Sequence, residues 1–258
     1  MNTLSFKEYD DLQILLKTFG NSHEISVYET TELYGEKGHF RVLQFSNEAI
    51  QGAMDLNDPE RIVFEYPRAI IHLMTFNNHS FEDVFVIGHG IGTIPGHFSD
   101  KRFTIAELDG SVVEVSKTYF SYRKDNVIVG DGRLLLSNEE PHTYDYLVLD
   151  AFTNKGTPRH LISKQFFQIA KSKLESQGSI IMNLMGKGEN DKLINAIHRT
   201  LSEEFAYTKS FSLRSERATD IQNVIIMGRN KPIGFQLRHM AGFTEFEPGQ
   251  GHIIMDER

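Results

Sequence analysis

The stretch DVFVIGHGIGT, residues 83–93, decides the fold of this chain. A short apolar run leads directly into three glycines at alternate positions, Gly88, Gly90 and Gly92. Glycines behind a strand let backbone N–H groups come close to a ligand, because no side chain stands in the way. The same pattern also serves as a plain connection from a strand to a helix, so the rest of the chain decides its meaning.

Downstream of this turn, apolar segments and helical segments alternate along the chain. Strands are predicted at 83–88, 102–109, 126–131, 144–150, 179–184 and 222–228. Helices are predicted near 111–121, 163–176 and 190–204. Near-continuous apolar strands that alternate with helices are typical of a parallel sheet covered on both faces. We therefore predict an α/β fold with a Rossmann-like, doubly wound and mostly parallel sheet.

The chain upstream of the turn has a different pattern. Residues 24–54 hold short segments rich in β-branched and aromatic residues, which predict a small antiparallel sheet of hairpins. We predict three parts: an N-terminal β-hairpin domain at 1–57, a Rossmann-like nucleoside-binding catalytic domain at 58–230 and a C-terminal tail at 231–258. In the tail, the segment GHIIM at 251–255 is expected to add an edge strand.

The composition of the 258 residues narrows the functional classes. With 35 acidic against 27 basic side chains and a net charge of −8, the surface is expected to repel nucleic acid. No apolar run approaches the roughly 18 residues of a membrane span and no secretory signal is visible, so we expect a cytoplasmic protein without a membrane partner. The absence of cysteine excludes disulfides, thiolate metal sites and cysteine nucleophiles. His89 and His97 flank the turn without a third ligand at recognisable spacing, so no metal is expected.

Acidic residues stand at the carboxyl ends of the predicted strands. In open α/β sheets, ligands bind beyond these ends, near the point where the strand order reverses. Glu107 ends the second strand nineteen residues after Gly88, where a carboxylate can accept both hydroxyls of a ribose. Asp131 lies between two glycines after the third strand, where it can meet the amino group of an adenine, and Asp150 ends the fourth strand. Together these positions predict a nucleoside-binding site.

A set of ordered segments resembles one family. The segments are VFVIGHGIGT, IAELDGSVVEVSKTYF, VIVGDGRLLL, YDYLVLDAF and LISKQFFQIAKSKLESQGSIIMNL. In order and spacing they resemble the spermidine synthase (polyamine aminopropyltransferase) family, a branch of the Rossmann-like S-adenosylmethionine-dependent transferases, over about residues 24–230. The segment DAFTNKGTPRHLISKQF is closer to the spermidine-synthase-like bacterial branch. The resemblance implies a sheet of the class I S-adenosylmethionine-dependent methyltransferase type, preceded by a small β-rich domain.

The resemblance also implies substrates and residue roles. The co-substrate would be decarboxylated S-adenosylmethionine or S-adenosylmethionine, the second substrate a small-molecule amine, and the assembly a homo-oligomer, a dimer. Glu107 would hold the ribose, while Asp131 and Gly132 would lie at the adenine. The glycine turn would lie along the amino-acid or aminopropyl end. Gln51 matches a glutamine that reaches the nucleoside from the N-terminal sheet.

Two positions depart from the family pattern. The family's glycine loop carries an Asp that receives the amino group of the decarboxylated donor, and Ile91 stands in its place. The fourth strand of the family ends Asp-Ser-(Ser/Thr)-Asp, and the last Asp takes the proton of the attacking amine; here Thr153 stands in that place. A threonine hydroxyl is not a base near neutral pH, so Asp150 is the candidate catalytic residue. If Asp150 does not serve, the substrate is not a polyamine or the base is one of Asp109, Glu65 and Glu107.

These departures leave three functions open. The leading hypothesis is an aminopropyltransferase of polyamine biosynthesis. The first alternative is an S-adenosylmethionine-dependent methyltransferase, because Ile91 does not repel the carboxylate that an acidic residue would repel. The second is a non-catalytic nucleoside-binding homologue, in which Thr153 marks a lost base.

Overall fold

A computed structural model describes residues 12–21, 23–46, 50–153, 156–188, 191–213 and 220–257. These residues form two sheets, one of four strands and one of eight. They divide into two compact units. The first unit holds the described residues up to Phe64 with Gly90–His97 and Asp109–Asp125, and the second unit holds the others. The boundaries at 57 and 230 stay a prediction.

The strands and helices are numbered along the chain. The strands are β1 (Gln13–Phe19), β2 (Glu24–Leu33), β3 (Glu36–Phe45), β4 (Ile50–Asp55), β5 (Asp83–Ile87), β6 (Arg102–Glu107), β7 (Val127–Val129), β8 (Tyr144–Leu149), β9 (Leu174–Gly186), β10 (Tyr207–Ser212), β11 (Gln222–Arg229) and β12 (Thr244–Phe246). The helices are α1 (Glu65–Asn77), α2 (Thr93–His97), α3 (Gly110–Tyr119), α4 (Gly132–Asn138), α5 (Lys164–Lys173) and α6 (Lys192–Leu201).

The first unit is built on the four-stranded sheet. Strands β1 to β4 pair in chain order and all pairs are antiparallel. Tyr34 and Gly35, with φ of 49° and 82°, form the tight turn between β2 and β3, where consecutive left-handed residues match the twist of a hairpin. The predicted antiparallel sheet at 24–54 is confirmed, and β1 extends it beyond the prediction.

Helix α3 belongs to this first unit. Apolar residues of the sheet and of the helix form one buried cluster, whose members are Ile25, Val27, Leu43, Val112, Val115 and Phe120. Asp109, which is 5% exposed, caps the helix by accepting a hydrogen bond from the Ser111 N–H at 2.9 Å. Its second carboxylate oxygen accepts one from the Asn21 N–H at 2.6 Å. Asp109 therefore fixes the turn before β2 as well as the start of α3.

The eight-stranded sheet of the second unit has the order β12-β10-β11-β9-β8-β5-β6-β7. Five neighbouring strands, β7, β6, β5, β8 and β9, are parallel to one another. The pairs β9 with β11, β11 with β10 and β10 with β12 are antiparallel. From β5 the chain first moves outward to β6 and β7 and then returns to β8 on the other side. The strand order thus reverses between β5 and β8, and the predicted α/β fold with a mostly parallel sheet is confirmed.

Both faces of this sheet are buried along its central strands. One face packs against α4, α5 and α6 in a large core that includes Phe85, Leu147 and Phe166. The alternate residues point the other way, as strand geometry requires. Among them, Tyr146 donates a hydrogen bond from its hydroxyl to the Met74 carbonyl of α1 at 2.8 Å. The longest described helix, α1, has 13 residues, and no helix in the described ranges is long and apolar enough to span a bilayer.

The edge of the sheet differs from the prediction. The expected edge strand at GHIIM is wrong, because 251–255 forms no strand and Ile254 is buried in the core beside α5 and α6. The edge strand is β12, which pairs with β10 through Ser210 and Phe246 among others. An apolar run shows that a segment is buried, but it does not show whether the segment pairs with a sheet.

The role of Asp109 gives a stability prediction. Asp109→Ala should lower the free energy of unfolding by about 1–2 kcal/mol, since an N-cap and a second backbone contact are lost. Asp125→Ala is the matched control, because Asp125 pairs with Lys117 of the same helix but is 92% exposed, and its variant should be as stable as the unaltered protein. Urea unfolding measures both. Equal stability of the two variants would contradict the structural role of Asp109.

Candidate functional site

The carboxyl ends of β5, β6, β7 and β8 meet at one edge of the eight-stranded sheet. Backbone hydrogen bonds from the residues that follow β5, β7 and β8 to the last residues of a neighbouring strand hold the edge together. They are Gly88 N to Ala106 O at 2.9 Å, Gly130 N to Glu107 O at 2.8 Å and Asp150 N to Ile87 O at 2.8 Å. This edge therefore gathers the residues that the sequence places at the strand ends, at the point where the strand order reverses.

Gly88 is the tightest position of the edge. Its φ of 97° lies in the left-handed region, and a β-carbon there would stand 2.0 Å from the Asp150 carbonyl oxygen. Only glycine fits both conditions. The glycine turn after β5 therefore rests on the backbone that carries Asp150.

Glu107 lies beside the same turn. Its Oε2 accepts a hydrogen bond from the His89 N–H at 2.9 Å, and the residue is partly buried. The carboxylate at the end of β6 is thus held to the turn at the end of β5. Leu108, which follows it, is 61% exposed and offers an apolar surface next to the carboxylate.

Asp131 and Gly132 form the start of α4. Asp131 caps this helix through the Leu134 N–H, at 2.9 Å from its Oδ1. Its Oδ2 lies 2.9 Å from His160 Nε2. A β-carbon on Gly132 would stand 2.4 Å from Ile87 Cγ2, so the helix begins directly against the end of β5. Both predicted residues thus lie next to the strand-end edge.

Asp150 is the centre of a polar network. Asn183 donates from Nδ2 to Asp150 Oδ1 at 2.8 Å, and Tyr66 forms a second side-chain hydrogen bond with the carboxylate. Asn223 in turn donates to Asn183 Oδ1 at 2.9 Å. Burial raises the pKa of Asp150 above its ordinary value, although the hydrogen bonds from Asn183 and Tyr66 favour the charged form. Burial, and then the nearby Asp150 charge, raises the pKa of Tyr66 well above 10.

Sequence-based prediction did not place Asn183 or Tyr66 beside Asp150, or His160 beside Asp131. The pairing of Leu149 with Met182 places Asn183 beside Asp150, but that register is visible only in the folded sheet. The one signal in the sequence was the polar Asn183 inside an apolar strand, at 1% exposure.

Thr153 does not replace the missing base. It is exposed, its hydroxyl donates to the Gly156 carbonyl at 2.8 Å, and its backbone pairs with Gly156 in both directions. Among the other carboxylates considered, Asp109 has both oxygens engaged with backbone N–H groups. Glu65 is exposed at the start of α1 and pairs with Arg68 at 3.1 Å. Asp150 is a partly buried carboxylate of the edge, and it is the one whose pKa burial raises.

The remaining glycines of the turn belong to the first unit. Gly90, with φ of 54°, lies against the Gln51 backbone, since its β-carbon would stand 3.5 Å from the Gln51 carbonyl oxygen. Gly92 has a φ of 81°, and its carbonyl accepts a hydrogen bond from the Gly96 N–H, which closes the first turn of α2. Ile91 packs on Gly52 of β4, where a β-carbon would stand 2.7 Å from Ile91 Cγ2, and joins the apolar cluster of that unit. The residue that departs from the family pattern thus has a packing role.

No group of three or more His, Cys, Asp or Glu side chains in the described part of the chain is placed to hold a metal ion. The arrangement at the sheet edge is instead one of hydrogen-bonding groups: backbone N–H groups of a glycine turn, two carboxylates at strand ends and a capping aspartate. Carboxylates in such a set can accept hydrogen bonds from the hydroxyl and amino groups of a ligand.

Comparisons with known proteins point to one family. A family model described as "Spermine/spermidine synthase domain" matches residues 63–231. A polyamine aminopropyltransferase from Vibrio vulnificus is 27% identical over 210 residues, which cover 74% of this chain and 70% of the relative. One from Bacillus cytotoxicus is 27% identical over 180 residues, which cover 66% of this chain and 65% of the relative. A crystal structure of a probable spermidine synthase from Corynebacterium glutamicum aligns with a TM-score of 0.73 at 19% identity, over 88% of this chain and 83% of that one.

The contact between Gly88 and Asp150 gives a second stability prediction. Gly88→Ala should destabilise the fold by more than about 2 kcal/mol, because the methyl group would meet a carbonyl oxygen at a left-handed position. Gly96→Ala is the control: a β-carbon there meets nothing within 4 Å, and in α2 it should be neutral or stabilise by up to about 1 kcal/mol. Thermal unfolding compares the two. A Gly88 variant as stable as the Gly96 variant would contradict the packing described.

Proposed function

This chain belongs to the spermine/spermidine synthase family, and from that premise we propose that it transfers an aminopropyl group from decarboxylated S-adenosylmethionine to a small amine. The observation that carries the proposal is the partly buried carboxylate of Asp150 at the strand-end edge, held by two hydrogen-bond donors. The curated relatives named polyamine aminopropyltransferases support the same class of reaction.

The nucleoside part of the donor is assigned to the strand ends. Glu107 accepts hydrogen bonds from the ribose hydroxyls, and its bond from the His89 N–H keeps the carboxylate in place. Asp131 accepts from the adenine amino group, and the exposed Leu108 provides an apolar wall for the base. Gly88 and Gly132 let the strand ends pack closely against Asp150 and Ile87, and both stay predicted donor-binding residues. Gln51, Gly90 and Gly92 stay predicted donor-binding residues.

The acceptor amine must be neutral before it reacts. An alkyl amine with a pKa of about 10.4 is mostly protonated near neutral pH, so a carboxylate is needed to attract and deprotonate it. The donor supplies a carbon activated by an adjacent sulfonium. The ammonium proton passes to Asp150, and the neutral amine nitrogen then forms the new C–N bond as the C–S bond breaks. The electron pair of the C–S bond stays on sulfur, so the sulfonium leaves as a neutral thioether and the product amine is left protonated. The raised pKa of Asp150 makes it a better proton acceptor than an exposed aspartate.

Asn183 and Tyr66 give the base its orientation. Asn183 occupies Oδ1 of Asp150, so the carboxylate is fixed in rotation. Both donors stabilise the charged form before the reaction, and they offset part of the cost of burying it. The side chain is therefore ready to accept a proton without reorganisation.

The position of Ile91 favours methyl transfer from S-adenosylmethionine as a second candidate. An apolar side chain that packs on Gly52 offers no partner to the amine of the decarboxylated donor and no repulsion to a carboxylate. Discrimination between the two donors is therefore expected to be weak. A cytoplasmic location and a dimeric assembly stay predictions.

The assignment of Glu107 is tested by binding. Glu107→Gln should weaken the affinity for methylthioadenosine by about 1.5–3 kcal/mol, the value of hydrogen bonds to a charged acceptor. Glu114→Gln, at an exposed position of α3, is the control and should bind like the unaltered protein. Isothermal calorimetry measures both affinities. If the Glu107 variant binds with unchanged affinity, Glu107 lies outside the nucleoside site.

The role of Asp150 is tested by turnover. Asp150→Asn should leave methylthioadenosine affinity nearly intact and lower turnover by about a hundredfold or more, the usual effect of removing a positioned general base. In the unaltered protein, turnover should fall as the pH drops through the raised pKa of Asp150, because the carboxylate becomes protonated. This loss should lie above the pH range in which an ordinary aspartate titrates and should be absent in the variant.

The assay is product formation from labelled decarboxylated donor with a panel of amines, with S-adenosylmethionine as the competing donor. Aminopropyl transfer that survives in Asp150→Asn would remove Asp150 as the base. Methyl transfer without any aminopropyl transfer would replace the proposed reaction with the second candidate. Nucleoside binding without either reaction would identify a non-catalytic homologue.

A further inference from the structure

Residues 249–257 form an irregular segment, here called the strap, that is fixed to the second unit. Its Ile254 is 3% exposed and belongs to the main core. A β-carbon on Gly251 would stand 2.2 Å from the Asn195 carbonyl oxygen. The backbone of the strap is anchored by four hydrogen bonds: Gly249 N to Asn195 Oδ1 at 3.1 Å, Ile254 N to Thr200 Oγ1 at 2.9 Å, Lys164 N to Ile254 O at 2.8 Å and Asp256 N to Gln165 Oε1 at 3.0 Å.

The strap ends at the first turn of α4. Asp256 forms a two-point ion pair with Arg133, at 2.8 Å and 2.6 Å between the guanidinium nitrogens and the carboxylate oxygens. The hydrogen bonds from Arg133 lower the pKa of Asp256 to about 2, so the carboxylate stays charged at any physiological pH. A two-point pair fixes the plane of the guanidinium as well as its position. Arg133 stands two residues after Asp131.

Arg133 connects the strap to the adenine side of the site. Its Nη1 donates a second hydrogen bond to the His160 carbonyl at 2.9 Å. The imidazole of the same His160 lies with Nε2 2.9 Å from Asp131 Oδ2. A closed series of contacts therefore runs from Asp256 through Arg133 and His160 to Asp131.

We propose that Asp256 and Arg133 are positioning residues for the recognition of a 6-aminopurine. Oδ1 of Asp131 is engaged in capping α4, so Oδ2 is the oxygen that takes the amino group. A carboxylate oxygen accepts more than one hydrogen bond, and His160 occupies one side of Oδ2. Because Arg133 fixes His160, the side of Oδ2 that His160 leaves open can accept a hydrogen bond from one direction, that of the base. The inference rests on the proposed function, because it takes Asp131 as the adenine-binding residue.

A strap that only stabilised the fold would affect every ligand alike. A strap that positions Asp131 affects only the part of the affinity that comes from the amino group. The comparison therefore needs two ligands that differ in this group alone: methylthioadenosine, and its analogue in which hydrogen replaces the 6-amino group. The ratio of their affinities reports the contact with Asp131.

The experiment is calorimetry with both ligands on the full chain. The unaltered protein should prefer methylthioadenosine by about tenfold or more, as expected for a hydrogen bond to a charged acceptor. In Asp256→Asn this preference should fall to less than about threefold, while the affinity for the analogue changes by less than about twofold. Arg133→Lys should have the same effect, because a lysine keeps the charge but loses the two-point geometry.

The matched control is Glu257→Gln. Glu257 is the next residue of the strap, lies 3.5 Å from Arg159 and is 79% exposed, so its variant should keep the full preference. The inference is overturned if Asp256→Asn and Arg133→Lys keep the preference, or if they weaken both ligands equally. If the unaltered protein binds neither ligand, the proposed function fails and the inference fails with it. If the unaltered protein binds methylthioadenosine but the two variants keep the preference or weaken both ligands equally, the proposed function stands and the inference about the strap fails.

Discussion

The close approach of Gly88 to the Asp150 carbonyl is the constraint on which the site depends. The two residues follow β5 and β8, the neighbouring strands between which the strand order reverses. A side chain at Gly88 would stand 2.0 Å from that carbonyl and would push the two strand ends apart. Such a shift would move the His89 N–H, the next group along the turn, which holds Glu107. It would also move the backbone that carries the Asp150 side chain. The proposed nucleoside-binding role of Glu107 and the proposed catalytic role of Asp150 therefore both need a glycine at position 88.

Much of the second unit follows from local patterns in the sequence. Buried parallel strands read as apolar runs, and the carboxyl ends of parallel strands meet at one edge, so Glu107 and Asp150 are predictable as neighbours of the edge. The partners of these residues are not predictable in this way. Asn183 and Asp150 are 33 residues apart, and their contact depends on the register between β8 and β9. The segment GHIIM shows the same limit, since its apolar residues fit a buried strap as well as an edge strand.

The sequence and the structure give different information about Ile91. In the sequence it stands where the family has an acidic residue, and only the loss of a charge is visible. In the structure its side chain fills the space above Gly52 and joins an apolar cluster of the first unit. An aspartate in that position would place a charge against apolar side chains, at a cost that needs a paired cation or a bound amine to offset it. The change from acid to isoleucine is thus coupled to the packing of β4.

Asp150 and Thr153 differ in the property that a base requires. Thr153 is exposed and its hydroxyl is engaged with Gly156, so neither its environment nor its chemistry provides a proton acceptor. Asp150 is partly buried, which raises its affinity for a proton, while the hydrogen bonds from Asn183 and Tyr66 favour the charged form. The net result is a raised pKa for Asp150, and a carboxylate with a raised pKa is a stronger proton acceptor than an exposed one. Under the proposed mechanism, Asp150 therefore takes the role of base that Thr153 lacks.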